Sequence, residues 1–186
     1  REAGFVAPGL AVISEQDVLG DRMVGKPRRK RKAENFLREV DTLSPGDRVL
    51  MFETGHFATL WRGIAEKLGL VVEFVPGDWR TGIDPAMVES RLADDRAHAF
   101  KAVLAVHNET STGVTSGIAA IRQAMDRAGH PALLLVDTVS GLGSADYRHS
   151  EWGVDVTVGG SQKGLMLPPG LSFNAVSDKA IAASKQ

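Results

Sequence analysis

From Pro45 onward this 186-residue chain alternates short apolar runs with segments whose apolar residues recur at helical spacing. The runs fall at 48–52, 71–75, 101–106, 132–136, 154–158 and 171–176. Runs such as 48–52, 101–106 and 132–136 are mainly continuous in their apolarity, not alternating, which is how strands covered on both faces read. Helix-period segments lie between them. Residues 57–68 carry Leu60, Ile64 and Leu68 on one stripe. Asp84 reads as an N-cap with Pro85 at the favoured first position. Residues 118–128 repeat apolar groups at Ile118, Ile121 and Met125, with Thr115 and Ser116 as N-caps and Gly129 as the stop. Strands and helices in this alternation predict an α/β fold, a three-layer α/β/α domain with a mainly parallel sheet.

The first forty residues lack this regularity. A strand is expected within 4–12 and a short helix within 35–43, and the rest is polar, basic and weakly periodic. The net charge of −1 conceals one basic run, Lys26-Pro27-Arg28-Arg29-Lys30-Arg31-Lys32. Such a run is able to meet nucleic acid or anionic surfaces. No aromatic residue interleaves with it and no nucleic-acid-binding motif surrounds it, so a solvated charge run is the expectation. Domain limits are expected at 1–41 for an atypical basic segment (disorder is one expectation for it), 42–178 for the main domain, and 179–186 for the start of a truncated further part. The absence of cysteine excludes disulfides and thiolate catalysis and fits a cytoplasmic protein. No apolar run reaches membrane-spanning length, and no signal-peptide pattern opens the chain.

The chemistry concentrates at the ends of the predicted strands, where open α/β sheets bind ligands. In V-G-G-S-Q-K-G-L-M-L-P-P-G-L, residues 158–171, Lys163 is isolated between glycines after an apolar strand. A lysine held partly out of water there loses charge stabilisation and becomes nucleophilic, as a Schiff-base lysine must be. Asp137 ends the run Leu133-Leu134-Leu135-Val136. A lysine and an aspartate so placed match a pyridoxal phosphate site, in which Asp137 keeps the pyridinium nitrogen protonated. His56 and Phe57 follow the first strand, and Phe57 offers a flat face for stacking. Asn108 and Thr110, in H-N-E-T-S-T-G, follow the third and offer polar groups to a ring hydroxyl or a carboxylate. Ser161 and Gln162 flank the lysine.

Each residue has a plainer reading: Lys163 as a surface-loop residue, Asp137 as a turn cap, Phe57 and Trp61 as helix packing, His107 as a hydrogen-bonded histidine. Only the ordered set favours a site. There is no H-E-x-x-H, no G-x-S-x-G and no Walker loop, and no metal is expected. Gly141-Leu142-Gly143 follows a strand as in a dinucleotide fingerprint, but Asp146 stands where the third glycine belongs.

From about Thr42 to Asp178 the chain resembles the large domain of the class V, fold-type I aminotransferases, most closely the serine–glyoxylate and alanine–glyoxylate group. The segments that carry the resemblance are L-S-P-G-D (43–47), G-H-F (55–57), H-N-E-T-S-T-G-V (107–114), L-V-D-T-V (135–139) and G-S-Q-K-G-L (160–165). It implies pyridoxal 5′-phosphate and transfer of an amino group from serine, alanine or glycine to glyoxylate or pyruvate. It further implies Lys163 as Schiff-base lysine and general base, Asp137 as pyridinium partner and Val139 packed under the ring. Phe57 then stacks, Thr110 meets the ring oxygen, Gln162 contacts the phosphate, and the intact parent is a homodimer. Three departures stand out. The small-residue phosphate loop expected upstream of L-S-P-G-D is replaced by Lys30-Arg31-Lys32-Ala33-Glu34-Asn35, the C-terminal small domain is missing, and Gly141 stands where relatives often have serine. A fragment of the large domain is therefore expected. The alternatives are a non-catalytic remnant and nucleic-acid binding through residues 26–32.

Overall fold

The computed structural model describes residues 10–13 and 42–185. Its elements run β1 (Leu10–Ile13), β2 (Arg48–Phe52), α1 (His56–Lys67), β3 (Val71–Val75), α2 (Pro85–Asp94), β4 (Phe100–Val106), β5 (Asn108–Glu109), β6 (Val114–Thr115), α3 (Ile118–Arg127), β7 (Leu133–Asp137), β8 (Val156–Gly160), β9 (Ser172–Val176) and α4 (Asp178–Ala183). Seven strands form one sheet in the order β1-β9-β8-β7-β4-β2-β3, and β5 with β6 makes a separate ribbon. β3, β2, β4, β7 and β8 are parallel to one another. β9 runs against β8, and β1 against β9. The mainly parallel α/β sheet expected from the continuous apolar runs is present.

Burial on both faces explains why the central strands β2, β4 and β7 do not alternate. Leu50, Phe52, Val103, Ala105, Leu134 and Val136 pack with Val88 and Leu92 of α2 and Ile118, Ile121 and Met125 of α3. The intervening residues Val49, Met51, Ala102, Leu104, Leu133 and Leu135 pack on the opposite side with Ala58, Trp61 and Ala65 of α1 and Ala180 of α4. The sheet is thus the middle of three layers.

Local signals fix most helix ends. Asp84 accepts the Ala86 N–H at 2.9 Å with Pro85 at the first position of α2, as its sequence predicts. Gly129 takes φ +62 just past α3 and so ends it. The N-cap of α3 is Gly117, not Thr115 or Ser116. Thr115 lies in β6, and the buried Ser116 hydroxyl instead accepts the Ile83 N–H at 3.3 Å. Nor does the Leu60 stripe of α1 face the sheet. Leu60 is 48 % exposed, whereas Ala58, Trp61 and Ala65 are buried. Two alanines let the helix approach the sheet closely around one large ring. β8 also lies two residues later than expected, so Gly159 and Gly160 belong to the strand and not to a turn.

Two buried polar clamps hold the edge of the sheet away from these strand ends. The Asp155 carboxylate accepts the Leu134 N–H at 2.9 Å and the Ser177 hydroxyl at 2.8 Å, and Ser177 in turn caps α4 through the Ala180 N–H. His130 accepts the Ala132 N–H on Nδ1 at 3.2 Å, which leaves Nε2 to donate to Asp95 at 3.2 Å. Asp95 also accepts the Phe100 N–H at 2.8 Å, so the start of β4 and the end of α3 are held together. Of the N-terminal expectations, Leu10–Ile13 is a strand. Residues 4–9, residues 35–41 of the short helix expected over 35–43 and the basic run 26–32 lie outside the described residues, while Thr42 and Leu43 are not helical.

Candidate active site

The carboxyl ends of β2, β4, β7 and β8 share one edge of the sheet. Val106 pairs with Asp137, and Asp137 with Val158, so these three positions are level. From β2 the chain proceeds to β3 on one side, while β4 lies on the other. The order reverses between β2 and β4, the place where open α/β sheets leave a crevice. The loops after these strands carry the candidate residues.

After β2, the turn at Glu53-Thr54-Gly55 leads directly into α1. The helix has no acidic residue in its first turn and no capping side chain of its own. Its free N–H groups are met from 51 to 55 residues away. Glu109, fully buried, accepts the Phe57 N–H at 3.2 Å and the Ala58 N–H at 3.0 Å. The Ser111 hydroxyl accepts the His56 N–H at 3.0 Å and donates to Glu109 at 2.6 Å. A Cβ on Gly55 would stand 2.5 Å from Glu109 Cγ, so only glycine admits the carboxylate. Phe57 is consequently presented outward, 41 % exposed, with the His56 ring edge-on at 5.8 Å.

After β4, Asn108 and Thr110 are drawn together by Ser140, from the loop after β7. The Ser140 hydroxyl accepts from Asn108 Nδ2 at 3.0 Å and from Thr110 Oγ1 at 2.8 Å, and donates to the Asn108 carbonyl at 3.0 Å. Asp137 ends β7 and accepts the Val139 N–H at 2.8 Å. No lysine, arginine or histidine among the described residues pairs with it. Burial, partly offset by that N–H and reinforced by the charge of Glu109, raises its carboxyl to about 6. Val139 reaches toward the end of β8, its Cγ1 3.5 Å from where a Cβ on Gly160 would stand, and Gln162 Oε1 is equally near that point.

Lys163 lies in the turn that follows β8 and is exposed, not held partly out of water as its sequence setting suggests. No hydrogen bond or ion pair joins it to Asp137 among the described residues. The turn is pinned from beneath by Ser161, which is buried. Its hydroxyl donates to the Pro168 carbonyl at 2.7 Å and accepts the Leu171 N–H at 3.2 Å, and its carbonyl accepts the Leu167 N–H at 3.0 Å. The Met166 N–H closes back on the Lys163 carbonyl at 2.9 Å.

Buried beside this edge, His107 stacks obliquely on Tyr147 at 5.1 Å and edge-on against Trp152 at 6.3 Å. It was expected to be a hydrogen-bonded histidine, but its Nδ1 has no partner among the described residues. Two cavities, of about 740 and 690 Å³, lie elsewhere: one against Thr157 and Phe173, the other beneath Phe100 and Leu133. Neither is lined by Lys163, Asp137 or Phe57. Glu109 and Ser140 were not singled out from sequence. A glutamate after a short strand carries no mark of a helix 51 residues away, and Ser140 shows its role only when two loops meet.

Three comparisons bear on this arrangement. The family model for "Aminotransferase class-V" matches residues 33–185. A serine–glyoxylate aminotransferase of Hyphomicrobium methylovorum is 52 % identical over 145 residues, which cover 78 % of this chain and 36 % of that protein. An L-aspartate–glyoxylate aminotransferase of Paracoccus denitrificans is 52 % identical over 144 residues, 77 % of this chain and 36 % of that one. Among solved structures, an alanine–glyoxylate aminotransferase from Nostoc sp. superposes with a TM-score of 0.75 at 26 % identity, covering 96 % of this chain and 42 % of its own. The chain spans about a third of the length of the curated relatives it matches.

Proposed function

The chain belongs to the class-V aminotransferase family, and from that premise we propose that it forms the cofactor-binding part of a pyridoxal phosphate-dependent transaminase acting on small amino and 2-oxo acids. The observation that carries this reading is Asp137, a half-buried carboxylate at a strand end, with no cationic partner among the described residues and a carboxyl raised to about 6. A group in that state gains most from a protonated ring nitrogen, which supplies the missing positive charge.

The chain's residues fit the ring end of the cofactor. When bound, pyridoxal phosphate supplies an electron sink for the pair left when a substrate Cα–H bond breaks. Lys163, with its exposed amine, is assigned to hold the cofactor covalently through Nζ and to carry the Cα proton. Phe57 would provide a stacking face, with His56 beside it, and Val139 would pack against the ring. Thr110, aligned by Ser140, would meet the ring oxygen, and Asn108 the substrate. Gln162 and Ser161 are assigned to the phosphate side. The amino donors proposed are serine, alanine or glycine, with glyoxylate or pyruvate as acceptor. Two relatives of equal identity are named for serine and for aspartate, so overall similarity does not choose the donor. A homodimer and a cytoplasmic location belong to the same proposal.

A second reading, a remnant that holds the cofactor weakly and does not turn over, is favoured by one observation. The first N–H groups of α1, a natural anion site, are already taken by Glu109 and Ser111. A visible absorbance scan with added pyridoxal phosphate, before and after borohydride reduction and followed by peptide mapping, separates the two. A reducible band with the label on Lys163 supports the transaminase. Label scattered over Lys101 and Lys179, or no band, removes it and leaves the remnant.

A further inference from the structure

We propose that Glu109 is a positioning residue of the site: from β5 it fixes the first turn of α1, and with it His56 and Phe57, against the loop that carries Asn108 and Thr110. This rests on the transaminase reading for its consequence in cofactor binding, but not for the geometry itself. Three observations converge on this residue. Its carboxylate, fully buried, takes two of the N–H groups at the start of a 12-residue helix that brings neither an acid nor a cap of its own. Such groups otherwise remain unsatisfied, and the helix dipole leaves positive charge there. Second, Gly55 is shaped to the carboxylate, since a Cβ there would stand 2.5 Å from Cγ and 2.6 Å from Cδ of Glu109. Third, Ser111 extends the same device to the His56 N–H while donating to the carboxylate, so all three contacts move together.

The charge of Glu109 has a second destination. Among the described residues no lysine, arginine or histidine pairs with it, and only backbone dipoles and the Ser111 hydroxyl offset it. After burial, its charge is what pushes the Asp137 carboxyl upward. One side chain therefore sets both where the aromatic face stands and how strongly Asp137 seeks a proton or a cation. A residue that merely held a helix in place would move the first and not the second.

The test compares Glu109→Gln with Ser111→Ala. Amide exchange of His56, Phe57 and Ala58 reports the start of α1, a carboxyl-carbon NMR titration reports Asp137, and pyridoxal phosphate titration reports the site. Glu109→Gln keeps one acceptor and turns an NH2 toward the helix. Phe57 and Ala58 exchange is expected to quicken about ten-fold, the Asp137 midpoint to drop by roughly half to one pH unit, and cofactor affinity to fall about ten-fold. Ser111→Ala is expected to quicken His56 exchange and weaken cofactor binding about three-fold, with the Asp137 midpoint unchanged. Glu109→Gln with exchange and midpoint as in the parent chain overturns the proposal. Should Glu109→Gln fail to fold, Ser111→Ala decides alone, and unchanged His56 exchange with unchanged affinity overturns it. If the parent chain takes no label on Lys163, the transaminase reading fails, while exchange and the Asp137 midpoint still judge Glu109.

Discussion

The backbones of Gly143 and Gly164 touch. A Cβ on Gly143 would lie 3.0 Å from the Gly164 carbonyl carbon, and one on Gly164 would collide with the Leu142 carbonyl oxygen and the Ser144 hydroxyl. The turn carrying Lys163 is therefore seated directly on the turn after β7, with no side chain between them. Gly164→Ala has no room, because what it meets is mostly backbone. We expect a loss of about 1–3 kcal/mol in urea unfolding and a fall in borohydride labelling of Lys163 as the turn is displaced. Unchanged stability would show that the two turns do not need this contact.

Asp137→Asn separates stability from function. With the folded carboxyl raised to about 6 from 3.8, the native state holds a proton between those values that the unfolded chain has lost. Its contribution is present below about pH 4 and is lost as pH rises through 6. Above that, the native state keeps a poorly compensated anion, which the amide removes while retaining an oxygen for the Val139 N–H. The variant is expected to be more stable than the parent at pH 8 by on the order of 1–3 kcal/mol and to lose pyridoxal phosphate binding. Denaturant midpoints at pH 8 and pH 4 check this, and a variant less stable at pH 8 would contradict the burial penalty.

How much of this was legible depends on distance along the chain. Strand positions 48–52 are readable to the residue because a parallel strand buried on both faces leaves a nearly unbroken apolar run, and 71–75 are readable too, although β3 is an edge strand that carries Glu73 and is mostly half-exposed. Asp84-Pro85 and Gly129 are readable because caps are local. The buried face of α1 was misread, since Leu60-Ile64-Leu68 and Ala58-Trp61-Ala65 are both helical stripes and only the sheet decides between them. Glu109, Ser140 and the Gly143–Gly164 contact were beyond sequence reasoning for one reason. Each joins segments 20 to more than 50 residues apart through backbone or single oxygens, and neither periodicity nor composition records such pairings.

His130 gives the clamp behind the sheet a definite protonation state. Burial, partly opposed by Asp95, holds its ring below the usual histidine value, and the Ala132 N–H bonded to Nδ1 demands the Nε2–H tautomer. Nitrogen-detected NMR at pH 7 should find that tautomer. Because the folded value is lowered, the unfolded chain binds the extra proton. The stability contributed by His130 is present above about 6.5 and is lost as pH falls below it. His107 and His149, also lowered by burial, act in the same direction. His130→Leu strands Asp95 and the Ala132 N–H and is expected to cost about 2–4 kcal/mol. It should also flatten the acid limb of the stability profile, and an unchanged limb would exclude His130 as a contributor.

Gly141 and His107 form the pair most open to a double-mutant cycle. A Cβ on Gly141 would overlap the His107 Nδ1 and lie 3.2 Å from Cε1 of the same ring. The ring is not free to swing, being buried between Tyr147 and Trp152 and rooted by a backbone bond from its N–H to the Asp137 carbonyl at 2.9 Å. Serine at position 141 must therefore either displace the ring or shift the loop holding Ser140, which aligns Asn108 and Thr110. Gly141→Ser alone is expected to cost about 1–3 kcal/mol, and His107→Ala alone about 2–4 kcal/mol through the space it leaves. Together they should cost less than the sum by roughly 1–2 kcal/mol, because the new side chain enters the space vacated by the ring. Additive losses in urea unfolding would mean that glycine is tolerated here without being required by His107.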